Sequence, residues 1–213
     1  MPVYGFSLCT STTAYLIWKI EESLETLRPQ LHAQFLADLQ NANLSSADRM
    51  RQSLAVRVAL CYLLEKLNLP ISPLAKNERG KPILDYSSLY VSFTHTRYVA
   101  AVALSTSFPI GIDIEVVRSN LLALQARFLC AKEVQDANNC LAKLAIYWCA
   151  KEALYKRLDK QQIASFKDIF IEPFQLLTAG KIIAHLNQKK YAIDYQQIVN
   201  TAMPPHVLAY SEN

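Results

Sequence analysis

Glycine is scarce in this chain, four in 213 residues, so each one stands out as a place where a missing side chain lets something approach. The five cysteines (Cys9, Cys61, Cys130, Cys140, Cys149) are odd in number, scattered, and contain no CxxC pair, which excludes an evident zinc or redox site and points to reduced thiols in a cytosol. No apolar run approaches the roughly 20 residues that span a bilayer. Met1 to Cys9 lack a basic region and a small-residue cleavage site, so a signal peptide is not expected. Nor is there an excess of one charge. Residues 1–107 carry 10 basic and 8 acidic residues and the remainder 12 and 10, giving +2 in each half and +4 in all. That even balance suits an anionic small molecule or an acidic partner, and argues against a nucleic-acid-binding tail. What is present is apolar: 52% of residues, enough for one large domain or two small ones sharing a core. There is no low-complexity segment, repeat or flexible linker. A soluble, cytoplasmic protein is expected.

Val3 to Leu8 and Thr13 to Ile20, rich in β-branched and aromatic residues around a Thr/Ser turn, predict an opening hairpin. A helix is expected from an N-cap at Ser45 or Ser46 to about Leu67, with apolar positions at Met50, Leu54, Val58, Cys61 and Tyr62 and a stop before Pro70. Asn77 to Pro82 (NERGKP) has turn composition, and Leu89 to Phe93 and Tyr98 to Leu104 predict two short strands flanking Thr94 to Arg97. Ile110 to Val117 alternates: Ile110, Ile112 and Ile114 face one way, Gly111, Asp113 and Glu115 the other, predicting one core face and one acidic face. Leu141 to Leu158 predicts a second helix with an apolar stripe of Leu141, Leu144, Ala145, Trp148 and Tyr155. Ile182 to Leu186 and Tyr191 to Tyr195 predict a closing hairpin around Gln188 and Lys189.

Glu152 lies four residues after Trp148 and four before Lys156, so the three share one side of the second helix and the carboxylate borders apolar surface. It requires either an ion pair, with Lys156 or Lys151, or a bound cation. Asp113 and Glu115, two apart on one strand face, either face water or supply oxygens to a hard cation such as Mg²⁺, which takes one to three carboxylates and leaves room for substrate phosphates. Gly111, just ahead of Asp113, lets a ligand or a backbone come close to that face.

The strand Gly111 to Glu115 (GIDIE), followed by Trp148 to Lys156 (WCAKEALYK), resembles the two-part signature of the phosphopantetheinyl transferase superfamily, a GIDIE strand and then a WxxKExxxK helix. Further likeness to its larger, surfactin-synthetase-activating class extends from about residue 48 to 158. The GKP turn at Gly80 to Pro82, Thr94 and His95 look like the family's coenzyme A contacts, and Arg51 matches a basic position on its first-half helix. Two departures accompany it. Asp113 and Trp148 are 35 residues apart, closer than usual, and the segment Leu31 to Phe35 offers only His32 where some relatives place lysines.

The resemblance implies an α+β fold of two similar α/β subdomains, a pseudo-dimer in which each antiparallel sheet packs with a long helix. Residues 1–108 would contact coenzyme A and 109–213 would carry the metal site and carrier-protein contacts. It implies a monomeric enzyme that moves the 4'-phosphopantetheine arm of coenzyme A to a serine of an apo acyl- or peptidyl-carrier protein. Asp113, Glu115 and Glu152 would hold Mg²⁺ or Mn²⁺, with Lys156 on a phosphate oxygen and Lys151 assisting proton movement or the leaving group. Arg51, Lys81, Thr94 and His95 would meet the nucleotide, with Arg49, Arg57 and Arg79 as weaker candidates. Individually, Arg51 is equally an exposed helix arginine, Lys81 a turn lysine and His95 a strand-end histidine. Glu152, Glu133 or metal-bound water would serve as base, and Arg127, Lys132, Phe128 and Leu129 would form part of a carrier-binding patch. No nucleic acid and no membrane are expected as partners. Two rivals share these residues: a metal-dependent phosphohydrolase acting on coenzyme A or a nucleotide, and a binding module that holds carrier proteins without chemistry.

Overall fold

Ser46 opens the longest helix: its hydroxyl accepts from the Arg49 N–H at 3.3 Å, satisfying one of the amides that a helix start leaves unpaired. The computed structural model describes residues 2–41, 46–78, 80–85, 88–158 and 163–212; Ser45 and Arg79 lie outside them. The chain divides into two units, Met1–Phe108 and Pro109–Asn213.

The first unit runs β1 (Val3–Leu8), β2 (Thr13–Lys19), two short helices α1 (Leu24–Leu27) and α2 (Leu36–Asn41), the long helix α3 (Ala47–Lys66), a small hairpin β3 (Leu74–Lys76) and β4 (Pro82–Leu84), then β5 (Tyr90–His95) and β6 (Val99–Ser105). Its antiparallel sheet has the order β1-β2-β6-β5. The two inner strands are the ones buried almost along their whole length, as strands covered on both faces require. Leu54, Val58 and Cys61 of α3 join Leu16, Trp18, Ala100 and Val102 of the sheet in one core. Asp48 in the first turn and Lys66 in the last complement the helix dipole, and Asn68 in the left-handed region ends the run before Pro70.

The second unit runs β7 (Gly111–Val116), α4 (Asn120–Phe128), α5 (Ala131–Ala137), α6 (Leu141–Arg157), then β8 (Phe170–Ile171), β9 (Ala179–Leu186), β10 (Lys189–Asn200) and β11 (Met203–Ser211). Its antiparallel sheet has the order β7-β11-β10-β9-β8, so the last strand inserts between the first and the rest. Each unit therefore pairs an antiparallel sheet with one long helix, and the expected α+β class is what is found.

Helix α6 is buried on more than the expected stripe. One side lies on β7, β11 and β10, and another meets α4 and α5. Trp148 stands edge-on to Phe128 and Phe166, and Tyr155 edge-on to Phe166, which covers the side away from the sheet with aromatic rings. The acidic face of β7 is the face that α6 covers, since Val207 and Ala209, which pair with Glu115 and Asp113, belong to the core around α6. Ile110, Ile112 and Ile114 are buried too, so both faces of β7 are covered as far as Ile114, while Glu115 and Val116 stay partly exposed.

Candidate active site

Gly111 sets the approach of helix to strand. A Cβ there would stand 1.9 Å from the Ala153 carbonyl oxygen and 2.7 Å from the Arg157 nitrogen, so no side chain fits between β7 and the last turns of α6. The missing side chain admits a backbone, not a ligand. Glu152 and Lys156, which flank that contact along the helix, are thereby set beside Asp113 and Glu115.

Asp113 is buried, and its Oδ1 accepts from Lys156 Nζ at 2.7 Å. The same ammonium donates to the Ile112 carbonyl at 3.1 Å. Glu115 accepts from its neighbour's Val116 N–H at 2.8 Å and stands 3.4 Å from the Arg118 guanidinium. Burial nevertheless holds its carboxyl above the usual range, with Asp113 adding to the effect. Glu152 is pushed up to about 7, first by burial and then by the charges of Asp113 and Glu115, with Lys156 opposing them. The thiol of Cys149, fully buried on α6, is also raised by burial and by the same two acids. Glu152 thus feels both strand carboxylates across the helix–strand contact.

Among the described residues no three His, Cys, Asp or Glu side chains stand close enough together to grip one ion as they are. The donor chemistry does suit a divalent cation. Three carboxylates supply hard oxygens, and Glu152, raised first by burial and then by the two neighbouring acids, carries a penalty that a +2 charge among them would offset.

Other expected site residues are placed differently. Lys151 and Glu133 are fully buried and face each other at 2.7 Å. Lys151 Nζ also donates to the Phe128 and Phe166 carbonyls, while Glu133 accepts from the Cys130 and Ile171 N–H groups. The pair thus ties α6 to the end of α4, the start of α5, the turn at Phe166–Asp168 and β8. Burial lowers the Lys151 pKa and Glu133 opposes it. Neither side chain is exposed to solvent, and the pair holds these elements together. Phe128 and Leu129 are core residues, not surface, whereas Arg127 and Lys132 are exposed. Arg118, which contacts Glu115, shows in the sequence only as an i,i+3 spacing.

In the first unit, Arg51 sits early in α3 beside Asp48 at 3.6 Å, and its Nε is buried without a hydrogen-bond partner among the described residues. Lys81 follows Gly80, which takes a positive φ of 76°, and its N–H donates to Asn77 Oδ1, closing the expected turn. Thr94 is buried near the end of β5 and His95 beside it is exposed. Arg57 is committed elsewhere: buried, it donates through Nε to Asp38 at 2.8 Å and also to Ser53. Arg49 is exposed.

Residues 109–211, nearly the whole second unit, match the family model of the 4'-phosphopantetheinyl transferase superfamily. This unit is therefore a transferase domain. It belongs to the superfamily that transfers phosphopantetheine to carrier proteins, with coenzyme A as substrate and typically a divalent metal. No curated protein matches the chain. Among the described residues no helix is long and apolar enough to cross a membrane.

Proposed function

We propose that the protein transfers the 4'-phosphopantetheine arm of coenzyme A to a serine of an apo acyl- or peptidyl-carrier protein, releasing adenosine 3',5'-bisphosphate, and that it does so with Mg²⁺. The observation that carries this is the seating of α6 on β7 at Gly111, which sets Glu152 and Lys156 against Asp113 and Glu115. Asp113, Glu115 and Glu152 would hold the ion, which supplies charge neutralisation at the pyrophosphate.

The serine Oγ attacks the phosphorus that bears the pantetheine arm. The bond from that phosphorus to the bridging oxygen breaks, and the nucleotide leaves with the electron pair. Lys156, partly exposed, donates to a phosphate oxygen as negative charge builds. The serine proton passes to a base within hydrogen-bond reach, and of the acids Glu152 and Glu133 only Glu152 is not sealed in the core. Arg51, Lys81, Thr94 and His95 hold the nucleotide end, with the Arg51 fork suited to a phosphate. The protein works as a cytoplasmic monomer, and exposed Arg127 and Lys132 meet the acidic surface of the carrier.

Incubation with coenzyme A, Mg²⁺ and a panel of apo carrier proteins should add the phosphopantetheine mass to a serine of at least one carrier. Phosphopantetheine released without any carrier would assign a hydrolase instead, and carrier binding without product would assign a binding module.

A further inference from the structure

Of the two lysines flanking Glu152, Lys151 is sealed against Glu133, while Lys156 reaches the acids. Its Nζ lies 2.7 Å from Asp113 Oδ1 and 3.1 Å from the Ile112 carbonyl oxygen, a cation held by oxygens. The Asp113 side chain is 9% exposed and the Lys156 side chain 27%, so the lysine is the more solvent-accessible partner of the pair. Its four-carbon stem is flexible and can withdraw without moving α6.

We propose that Lys156 is an internal counter-cation that occupies the Asp113 carboxylate until a divalent ion takes its place. Metal binding and the release of Lys156 are then a single exchange. This rests on the reading above, in which Asp113, Glu115 and Glu152 hold a metal. A +2 ion and an ammonium on one buried carboxylate repel strongly, because little water screens them. The ion therefore binds against Lys156, and the expelled ammonium becomes available to a phosphate group. Binding of the ion and binding of a phosphate-bearing substrate reinforce each other, since each favours the state in which Lys156 has left Asp113.

The alternative, in which Lys156 merely orients Asp113 for the metal, makes the opposite prediction, so metal affinity without substrate separates the two. Chelator-treated full-length protein is titrated with Mn²⁺ and with Mg²⁺ by calorimetry, as wild type, K156M and K156Q. The exchange predicts that both variants bind the ion on the order of tenfold more tightly than wild type. Equal or weaker affinity overturns it. If the variants fail to fold, wild type answers alone: limited acetylation read by mass spectrometry should modify Lys156 more when Mg²⁺ is saturating than in chelator. Unchanged or reduced modification overturns the exchange. Wild type that binds no ion at millimolar concentration removes the metal reading together with the exchange, whereas wild-type binding with no gain in the variants removes the exchange alone.

Discussion

Replacing Glu152 by glutamine should make the metal-free protein more stable at alkaline pH. The carboxyl titrates at about 7 in the folded protein against a reference value of 4.5, because burial and two neighbouring carboxylates disfavour its charge. The folded state therefore keeps a proton that the unfolded chain gives up at lower pH. Stability is full below about pH 4.5 and is lost as pH rises through about 7. A gap of about 2.5 pKa units corresponds to roughly 3 kcal/mol. E152Q keeps the shape and removes the charge, so in EDTA it should match wild type near pH 4 and exceed it by roughly that amount at pH 8. Urea denaturation followed by far-UV circular dichroism, from pH 4 to 8.5, measures the difference. Mg²⁺ should then restore stability to wild type at pH 8 and leave E152Q nearly unmoved. Identical stability of the two proteins at pH 8 in EDTA would refute the reasoning, because it would mean that Glu152 bears no electrostatic strain.

Three further outcomes are expected. G111A should cost at least about 2 kcal/mol in urea denaturation, since its methyl group would meet backbone of α6 and the helix must lift from β7; an unchanged midpoint would show that the contact is not tight. K151M leaves Glu133 charged and buried and should cost about 3–5 kcal/mol. The double variant E133L/K151M should regain much of that in the same measurement, and a further loss would contradict a bracket whose cost lies in the unpaired charge. R51A should raise the KM for coenzyme A about tenfold with kcat little changed, as loss of one charge-assisted phosphate contact would; an unaltered KM would remove Arg51 from the nucleotide site.

Much of this architecture was legible in the residues, for identifiable reasons. β2, α3, β7 and α6 carry strong alternation or helical spacing, and Ser46 and Pro70 bracket α3, so those elements were expected nearly at their observed limits. β11 was not foreseen: Pro204 and Pro205 disguise it, yet they sit at the end where β10 is bulged, just before the first β7 pair, His206 with Val116. The chemistry of the site was visible as a short motif, but its environment was not. Whether Gly111 admits a ligand or a helix, and whether Glu133 is exposed or paired with a lysine 18 residues on, depends on tertiary packing that local pattern does not encode. The acidic face of β7 looked like a surface because alternation reports two faces without saying what covers either.

The transfer should depend on the acids gathered where α6 meets β7. Wild type and D113A, shown by circular dichroism to be equally folded, should be incubated with coenzyme A, Mg²⁺ and an apo carrier protein, and the carrier mass followed with time. Wild type should add the phosphopantetheine arm, and folded D113A should add none above background. Full labelling by D113A would contradict that dependence.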